Sequence, residues 1–254
     1  MRPHPPLPPF YSSLDGKAAF LADLFDTAAP HYDRLSQLLS LGSGSAYRLS
    51  ALRRAGVSAG MRVLDCATGT GLLANAAREL GAHPIGLDPS IGMLREGRRR
   101  MSTPLIRANA DSLPFRDGSF DRITMGFALR HVADLRRTFA EYRRVLRRDG
   151  RLLILEITYP QSAIGRRIAR LYFSSVMPRL ARAVTGSPLA SDLMQYYWIT
   201  MRECVDPQSV LTMLRQAGFA DVARHVSLGI FSEYTASRDA VAPDCAPAWR
   251  EESA

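Results

Sequence analysis

The spacing of hydrophobic residues divides the chain into two kinds of secondary structure. Between residues 15 and 58, apolar side chains recur at three- and four-residue intervals, as in KAAFLADLFDTAA and HYDRLSQLLSLG, which predicts amphipathic helices. From Met61 onward, short apolar segments typical of strands alternate with helical ones, which predicts a parallel sheet with helices on both faces. The strand segments are MRVLDCA, HPIGLD, PLIRAN, FDRITMGF and RLLILEI, and the helical segments are GLLANAAREL, SIGMLREGRRR and DLRRTFAEYRRVLRR, the last closed by Asp149-Gly150.

Two further segments complete the predicted fold. Residues 161–202 interrupt the alternation with mostly helical, arginine-rich sequence, which we interpret as an insertion that covers the site. DPQSVLTMLRQAGF then predicts a helix capped by Asp206 and ended by Gly218, and DVARHVSL and GIFSEYTASR predict a terminal hairpin. We therefore expect one α/β domain over residues 15–238: a Rossmann-like, mostly parallel seven-stranded sheet with a helical N-terminal lid (15–58) and a helical insertion.

The composition of the two ends differs from that of the domain. Five prolines fall within the first nine residues, a composition that favours extended and solvated chain, so residues 1–14 are predicted to form a disordered tail. The last segment, VAPDCAPAWREESA, has similar composition, and we expect residues 239–254 to be a second disordered tail.

Composition limits the class of protein. No apolar run reaches the roughly 18 to 20 residues that a membrane-spanning helix needs, and the first residues lack a secretory h-region, so the chain is expected in the cytoplasm. Cys66, Cys204 and Cys245 have no spacing that suits zinc or a disulfide framework, so no metal is expected. The net charge of +9 favours anionic partners, which could be nucleic acid, a lipid surface or an acidic substrate.

The segment VLDCATGTG contains the first candidate chemistry. Gly69 and Gly71 would let the backbone approach a ligand at a helix N-terminus, although glycines in such turns also serve packing alone. Asp88 ends the next strand, 23 positions after Asp65, where a carboxylate can accept hydrogen bonds from both ribose hydroxyls. This pair suits an adenosyl nucleoside. Ala67, where a dinucleotide fingerprint has glycine, and the lack of a GKS or GKT phosphate loop argue against NAD and ATP.

The downstream string ANADSLPFRDGSFDRITMGFALRHV, together with VLDCATGTG, resembles the class I S-adenosylmethionine-dependent methyltransferases. FALRHV is similar to the signature of one family among them, the ubiquinone/menaquinone biosynthesis C-methyltransferases. FDTAAPHYDRLSQLLSLG resembles the N-terminal lid helix of that family, and LYFSSVMPRL its aromatic segment. His131 stands where the family has asparagine, and Met201-Arg202-Glu203 and the last strand also depart from its pattern. These departures leave the methyl acceptor open.

The resemblance implies a class I methyltransferase fold, S-adenosylmethionine as cofactor, and a set of residues that bind it. The methionine end would lie at the first turn, Asp88 would take the ribose, and Asn109 with Ala110 would read the adenine edge. Met93 would pack on the adenine, or serve as ordinary helix core. The implied cofactor residues are Asp65, Ala67, Gly69, Gly71, Asp88, Met93, Asn109, Ala110 and Gly126.

Candidate catalytic residues follow the fourth predicted strand. Arg130 is expected to orient and stabilise a phenolate, and His131 to accept a proton near neutral pH. The alternatives are a structural ion pair for Arg130 and a loop or capping role for His131. Tyr32, Asp33 and Tyr196 are candidates for lining the acceptor pocket, and each could equally pack the lid.

The resemblance implies C-methylation of a polyprenylated quinol or a similar phenolic ring, with a C- or O-methyltransferase of a soluble small molecule as the alternative. The segment GRRIARLYFSSVMPRLARAV mixes arginines with apolar residues, which suits peripheral contact with an anionic membrane or, equally, a solvated helix face. The sequence lacks RNA-recognition motifs, so no nucleic-acid partner is expected despite the charge. A cofactor-binding protein without catalysis has no positive support, and the sequence leaves a homodimer open.

Overall fold

The structure, a computed structural model, describes residues 1–186 and 188–239. Within these ranges it contains one seven-stranded sheet in the order β3-β2-β1-β4-β5-β7-β6. All pairs are parallel except those of β7, which runs antiparallel to β5 and β6. The prediction of a mostly parallel seven-stranded sheet with a terminal hairpin is confirmed. The strands are β1 (Arg62–Cys66), β2 (His83–Asp88), β3 (Leu105–Arg107), β4 (Phe120–Gly126), β5 (Leu146–Ile157), β6 (Ala220–Ser227) and β7 (Phe231–Ser237).

Helices surround the sheet and form the two predicted coverings. The lid region contains α1 to α3, and the insertion contains α7 to α9 with a π-helical turn at Tyr172–Val176. Short 3-10 turns lie at Ala29–His31 and Leu129–His131. None of the helices within the described ranges is long and apolar enough to cross a bilayer. The helices are α1 (Leu14–Ala28), α2 (Tyr32–Leu39), α3 (Gly44–Arg54), α4 (Leu72–Glu79), α5 (Ile91–Arg100), α6 (Leu135–Val145), α7 (Ala163–Leu171), α8 (Met177–Thr185), α9 (Pro188–Glu203) and α10 (Pro207–Gln216).

Side-chain caps fix where several helices begin. Ser90, Asp134 and Asp206 each accept a hydrogen bond from the backbone N–H three residues later, which satisfies a donor that the first helical turn leaves free. Gly218 has a φ of +87° just after α10, so it ends that helix in a conformation that side chains disfavour. The predicted cap and stop of this helix are confirmed.

The boundary between α6 and β5 differs from the prediction. The sequence predicted a helix through Arg148 and a strand from Arg151, whereas α6 ends at Val145 and β5 begins at Leu146. Leu146 pairs with Phe120 while Arg151 pairs with Arg122, so residues 147–150 bulge out of the ladder. A Cβ at Gly150 would lie 2.8 Å from the carbonyl oxygen of Arg147, so this glycine permits the tight bend. Val145 ends α6 and Leu146 begins β5, and both side chains are buried. The burial of these two side chains outweighs the helix propensity of the residues that follow Val145.

The N-terminal segment, residues 1–11, packs on the domain, and the prediction of a solvated tail there is wrong. His4, Leu7 and Tyr11 are buried, and the carbonyl oxygens of Met1 and Pro3 accept hydrogen bonds from Leu135 (2.8 Å) and Val205 (2.7 Å). Prolines cannot donate backbone hydrogen bonds, but their extended chain leaves carbonyls free to accept them. The predicted C-terminal tail lies outside the described residues after Asp239.

Candidate active site

A cavity of about 510 Å³ opens at the carboxyl ends of β1, β2 and β4. Helix α1 covers it from above, and Arg2 of the N-terminal segment also reaches its wall. Ligands of open α/β sheets bind at this edge, where the strand order reverses between β1 and β4. The predicted cofactor residues in its wall are Ala67, Gly69, Asp88, Met93, Asn109, Ala110 and Gly126.

The turn after β1 presents backbone to this cavity. Ala67 and Gly69 have φ values of +53° and +57°, and the Thr68 N–H donates to the carbonyl of Leu87 at 2.9 Å. A left-handed alanine costs free energy, and such strain concentrates at ligand-binding turns. The end of the neighbouring strand β4 has the same feature, because Phe127 after β4 has a φ of +60°. The backbone after β1 and the backbone after β4 therefore both contain left-handed residues that line this cavity.

Asp88, at the end of β2, is one of the acidic residues that line the cavity. Its oxygens accept hydrogen bonds from the N–H groups of Gly69 (2.8 Å) and Ser90 (2.9 Å), which hold the carboxylate at the end of β2. Burial, with a smaller contribution from the negative charges of Asp65 and Asp26, raises the pKa of Asp88 to about 6. Each carboxylate oxygen has a second lone pair, so Asp88 retains capacity to accept hydrogen bonds from a diol.

Asp65 and Gly71 lie behind the cavity wall, where the resemblance had implied cofactor contact. The two oxygens of Asp65 accept from the hydroxyls of Thr68 (2.6 Å) and Thr124 (2.7 Å), so this carboxylate braces the turn from within. Burial raises its pKa to about 6. Gly71 has a φ of +87° and faces the side chain of Met101. Both residues shape the turn from outside the cavity.

His131 lines the cavity and is held between aromatic rings. Its ring stacks on Tyr196 with centroids 5.5 Å apart, meets Phe25 edge-on at 5.2 Å, and places Nδ1 3.1 Å from the Tyr196 hydroxyl. Burial lowers the pKa of His131 well below 6.5, and the nearby charges of Arg130 and Lys17 lower it further. The imidazole is therefore neutral at pH 7, the state in which it can accept a proton.

Arg130 points away from the main cavity, contrary to the expectation that it orients the acceptor there. Its guanidinium forms a buried ion pair with Glu156 at the end of β5 and lies 5.2 Å from the centroid of the Tyr197 ring. Arg130 Nε and Glu156 Oε2 have no hydrogen-bond partner in the described structure. The strands explain this pairing, because β4 and β5 run side by side and Arg130 follows β4. The ion pair with Glu156, which is the structural alternative to a catalytic role, explains the position of the Arg130 side chain.

A smaller cavity of about 70 Å³ lies between the lid and the insertion, and Arg130 forms part of its wall. Tyr32 and Phe127 line both cavities, so they separate the two spaces. The remaining wall is mostly apolar, and it includes Leu39, Ile157, Phe173, Tyr197 and Met201.

The three predicted acceptor residues take different positions. Tyr32 lies between the two cavities, as a lining residue would. Asp33 instead accepts a hydrogen bond from Thr70 and forms an ion pair with Arg100, so it fastens α2 to the cofactor turn and to α5. Tyr196 lies behind His131, fully buried, and contacts the histidine from outside the cavity. Of the two alternatives given for these residues, the positions of Asp33 and Tyr196 correspond to packing of the lid and not to lining of the pocket.

Sequence reasoning missed several wall residues, among them Lys17. This buried side chain donates to the carbonyl oxygens of Arg130 (3.4 Å) and Val132 (3.1 Å), and burial lowers its pKa to about 8. Lys17 thus fixes the turn that carries His131. In the sequence, Lys17 is a single lysine within a predicted amphipathic helix, and a lysine in such a helix usually occupies a solvated position. Phe127 stood inside the quoted FALRHV string, but nothing in the sequence indicated its left-handed backbone.

The cavity has the features that S-adenosylmethionine requires. Asp88 is a buried hydrogen-bond acceptor of the kind that a ribose diol needs, and the turn at Gly69 would allow close backbone approach. Met93 and Asn109 offer an apolar surface and an amide on the side where adenine is expected. A volume of about 510 Å³ is within the range of pockets that hold ligands of this size.

Solved structures with the same fold are methyltransferases. A putative S-adenosyl-L-methionine-dependent methyltransferase from Methanococcus maripaludis has a TM-score of 0.63 and 17% identity, covering 86% of this chain and 95% of that one. A possible histamine N-methyltransferase from Thermotoga maritima has a TM-score of 0.61 and 19% identity, covering 86% and 99%. At this identity the likeness establishes the fold, and the predicted class I methyltransferase fold is confirmed.

Sequence comparison identifies the family. The model of the ubiE/COQ5 methyltransferase family matches residues 14–238. The demethylmenaquinone methyltransferase of Clavibacter sepedonicus is 36% identical over 224 residues, 86% of this chain and 90% of that protein. The enzyme of the same name from Paenarthrobacter aurescens is 33% identical over 229 residues, 89% of each chain. This chain therefore belongs to the ubiE/COQ5 methyltransferase family and is an S-adenosylmethionine-dependent methyltransferase.

Proposed function

We propose that the enzyme methylates a ring carbon of a polyprenylated quinol of the demethylmenaquinol type. The observation that carries this proposal is the position of His131, a neutral histidine among aromatic side chains in the wall of the cofactor cavity. The names of the two bacterial relatives, demethylmenaquinone methyltransferases, support the same class of acceptor.

The cofactor would be held by the turn at Ala67 and Gly69, by Asp88 at the ribose, and by Met93, Asn109 and Ala110 at the adenine. When bound, S-adenosylmethionine supplies an electrophilic methyl group. The chain's own task is to hold an electron-rich ring carbon in line with that group and to exclude water. Lid helix α1 serves the second purpose because it lies over the cavity.

The acceptor ring would lie along the aromatic wall of Phe25, Tyr32 and Phe127, beside His131. Loss of a phenolic proton places negative charge on the ring and raises the nucleophilicity of its carbon, and His131 is the group positioned to take that proton. The small apolar cavity beyond Tyr32 and Phe127 would receive the first part of the acceptor's side chain.

A methyl-transfer assay tests the acceptor. Purified protein and methyl-labelled S-adenosylmethionine are supplied with a reduced naphthoquinone carrying a polyprenyl tail or with its tail-free hydroxynaphthalene counterpart. We expect kcat/KM for the tailed acceptor to be at least about tenfold higher, because burying even two methylene groups contributes more than that ratio requires. Equal values would contradict the quinol and favour a soluble phenolic acceptor.

A variant at His131 tests the base. His131→Ala is expected to lower kcat by about 10²-fold with an unchanged KM for S-adenosylmethionine, and added imidazole should restore part of the rate. Full turnover of the variant without imidazole would contradict this role.

We further propose that α7 and α8 contact an anionic membrane surface. Ile164, Ile168 and Leu171 are exposed by 73%, 63% and 62%, and Leu180 and Val184 continue this apolar surface on α8. Residues 161–186 contain five arginines and no acidic residue, a charge that complements anionic headgroups. Phe173, in the turn between these helices, forms part of the small cavity wall, so the apolar surface adjoins the space proposed for the side chain.

Vesicle co-sedimentation tests this contact. We expect binding to vesicles of phosphatidylcholine with 30% phosphatidylglycerol, weaker binding to phosphatidylcholine alone, and loss of binding in Ile168→Ser/Leu171→Ser. The matched control is Leu228→Ser, because Leu228 is 88% exposed on the β6–β7 turn and belongs to neither α7 nor α8. Equal binding of the double variant and the control would contradict a role for this surface.

A further inference from the structure

Lys17 is a buried cation in the wall of the main cavity. Its side chain extends from α1, the helix that covers the cavity, and only 5% of the residue is exposed. Nζ donates hydrogen bonds to the carbonyl oxygens of Val132 (3.1 Å) and Arg130 (3.4 Å), the residues on either side of His131. An ammonium group has three N–H donors, and no residue within 1–186 and 188–239 accepts from the third. Lys17 therefore has one hydrogen bond left to donate, next to His131.

The composition of the chain sets this position apart. Of the 33 lysine and arginine residues, 32 are arginine, and Lys17 is the only lysine. A guanidinium spreads its charge over a planar fork that matches carboxylates and phosphates, whereas an ammonium concentrates its charge at one nitrogen. The ligand group that suits Lys17 best is therefore a single negatively charged oxygen.

The titratable groups that interact electrostatically with Lys17 are neutral at pH 7. They are His4 of the N-terminal segment, His131 in the turn after β4, and Cys204 after α9. Burial lowers the pKa values of both histidines below 6.5 and raises the pKa of the Cys204 thiol to about 12. Burial also lowers the pKa of Lys17 to about 8, so its ammonium form still predominates at pH 7. Lys17 thus brings a positive charge to a wall in which these neighbours have none.

We propose that Lys17 is a catalytic residue that binds the acceptor as a phenolate, with its third N–H donating to the ionised oxygen. The identity of the acceptor rests on the proposed function, whereas the affinity of this wall for a single oxyanion is a property of the protein alone. In the step itself, the O–H bond of the acceptor breaks, its electron pair stays on oxygen, and the proton bonds to His131. Lys17 keeps its three protons, and its charge offsets the new negative charge.

The buried position of Lys17 strengthens this interaction. A hydrogen bond between an ammonium and an oxyanion is roughly twice as strong as one between neutral groups, and water screens a buried pair less than an exposed one. A phenol such as tyrosine has an ordinary pKa of about 10, so only a small fraction of it ionises at pH 7. A cation in contact with the oxygen lowers that pKa. The acceptor would therefore ionise at a pH at which the neutral ring of His131 can take its proton.

Lys17 can be observed directly, because the chain has no other lysine. The full-length protein, labelled with carbon-13 lysine, gives one lysine side-chain NMR signal, whose pH titration reports the pKa of Lys17. The probes are lawsone, a hydroxynaphthoquinone that is an anion at neutral pH, and its neutral methyl ether, each added with S-adenosylhomocysteine. We expect lawsone to raise the pKa of Lys17 by at least about 1 and the ether to leave it unchanged. Bound lawsone without an effect on this pKa would overturn the proposal.

A variant without the charge gives a second readout. Lys17→Met should weaken binding of lawsone at least about tenfold and binding of the methyl ether less than about twofold. Equal weakening of both probes would show that Lys17 only supports the turn of His131, and would overturn the proposal. The matched control is Arg2→Met, because Arg2 is the other positively charged side chain in the described wall but is exposed. Water screens its charge, so we expect less than about a twofold change for either probe.

Two outcomes separate this proposal from the proposed function. If neither naphthoquinone binds, the quinol acceptor is contradicted, and the same titration with saturating dinitrophenolate, a smaller phenolate, decides the role of Lys17. A raised pKa would then support the oxyanion site with a different phenolic acceptor, and an unchanged pKa would overturn it. If Lys17→Met does not fold, the titration of the wild type decides alone, since it needs no variant.

Discussion

The two sides of the main cavity are built on different principles. The side proposed for the cofactor consists of strand ends and the turns that follow them: Asp88, at the end of β2, accepts hydrogen bonds from Ser90 two positions later and from Gly69 in the turn after the neighbouring strand β1. The side proposed for the acceptor is assembled from distant parts of the chain: His131 meets Tyr196 across 65 positions, and the Tyr196 ring meets Phe10 of the N-terminal segment. Local sequence therefore specifies the cofactor side, whereas tertiary packing specifies the acceptor side.

The buried ionisable groups of the two sides also differ, in the direction of their pKa shifts. On the cofactor side, buried carboxylates have raised pKa values, because burial disfavours their charge. On the side proposed for the acceptor, the buried basic groups of His131 and Lys17 have lowered pKa values, because burial disfavours their charge as well. The first arrangement suits hydrogen bonding to neutral hydroxyls of a cofactor. The second favours a neutral base and attracts a developing phenolate.

The largest expected effect concerns the ion pair on the acceptor side. Arg130→Met leaves Glu156 buried without its partner, and we expect a loss of about 3 to 5 kcal/mol in the free energy of unfolding. Arg130→Met/Glu156→Met should recover most of that loss, because removing both charges also removes the desolvation cost. Denaturant unfolding of both variants measures the two values.

The exposed pair between Arg147 and Asp121 provides the control. Arg147→Met should cost at most about 1 kcal/mol, because water screens this pair. If Arg130→Met instead kept its stability and lost turnover, the structural role would be contradicted and a catalytic role for Arg130 would be supported.

The sequence predicted most of the residues that line the side proposed for the cofactor, because the signals there are local. Strand alternation, glycines in the first turn and an acidic residue at the second strand end each depend on a few neighbouring residues, and seven of the nine predicted cofactor residues line the cavity. Asp65 and Gly71 are the exceptions. Their positions in the motif were correct, but the hydroxyls of Thr68 and Thr124 take both oxygens of Asp65 from inside the fold.

The acceptor side could not be predicted in the same way. The proline-rich N-terminal segment has no helical or strand periodicity, and its burial depends on Leu7 and Tyr11 meeting an apolar surface formed by α1, α8 and α9. The partner of Arg130 did leave a signal, since Glu156 is the one charged residue inside the apolar run LLILEI. A charge in a buried strand needs a partner, and the adjacent strand end was the place to seek it.

An intermediate effect is expected on the cofactor side, at Asp88. Asp88→Asn should weaken binding of S-adenosylhomocysteine by about 10- to 100-fold, since a hydrogen bond to a charged group contributes about 1.5 to 3 kcal/mol. Its pKa of about 6 lies above the ordinary value of 3.8, so ionisation destabilises the folded state as pH rises through 6. Relative to the wild type, the unliganded variant should therefore gain stability, by about 2 to 3 kcal/mol at most, as the pH rises from about 3 to about 7, with no further gain at higher pH.

Calorimetric titration measures the affinity of this variant, and denaturant unfolding at several pH values measures its stability. Asp117→Asn is the matched control, because Asp117 is a largely exposed carboxylate that pairs with Arg144 on the surface. Cofactor affinity that stays at the wild-type level in Asp88→Asn would mean that the carboxylate serves only the turn.

The smallest expected effect is at Asp33, which joins the two sides. Its carboxylate holds α2 to Thr70 of the cofactor turn and to Arg100 of α5, and the arginine is half exposed. Asp33→Asn should therefore cost about 1 kcal/mol or less, seen as an up to fivefold weaker affinity for S-adenosylhomocysteine with an unchanged KM for the acceptor. Asp23→Asn, on the exposed face of α1, is the control. A tenfold higher KM for the acceptor with intact cofactor affinity would show instead that Asp33 contacts the acceptor. Helix α2 would then belong to the acceptor side of the cavity as well.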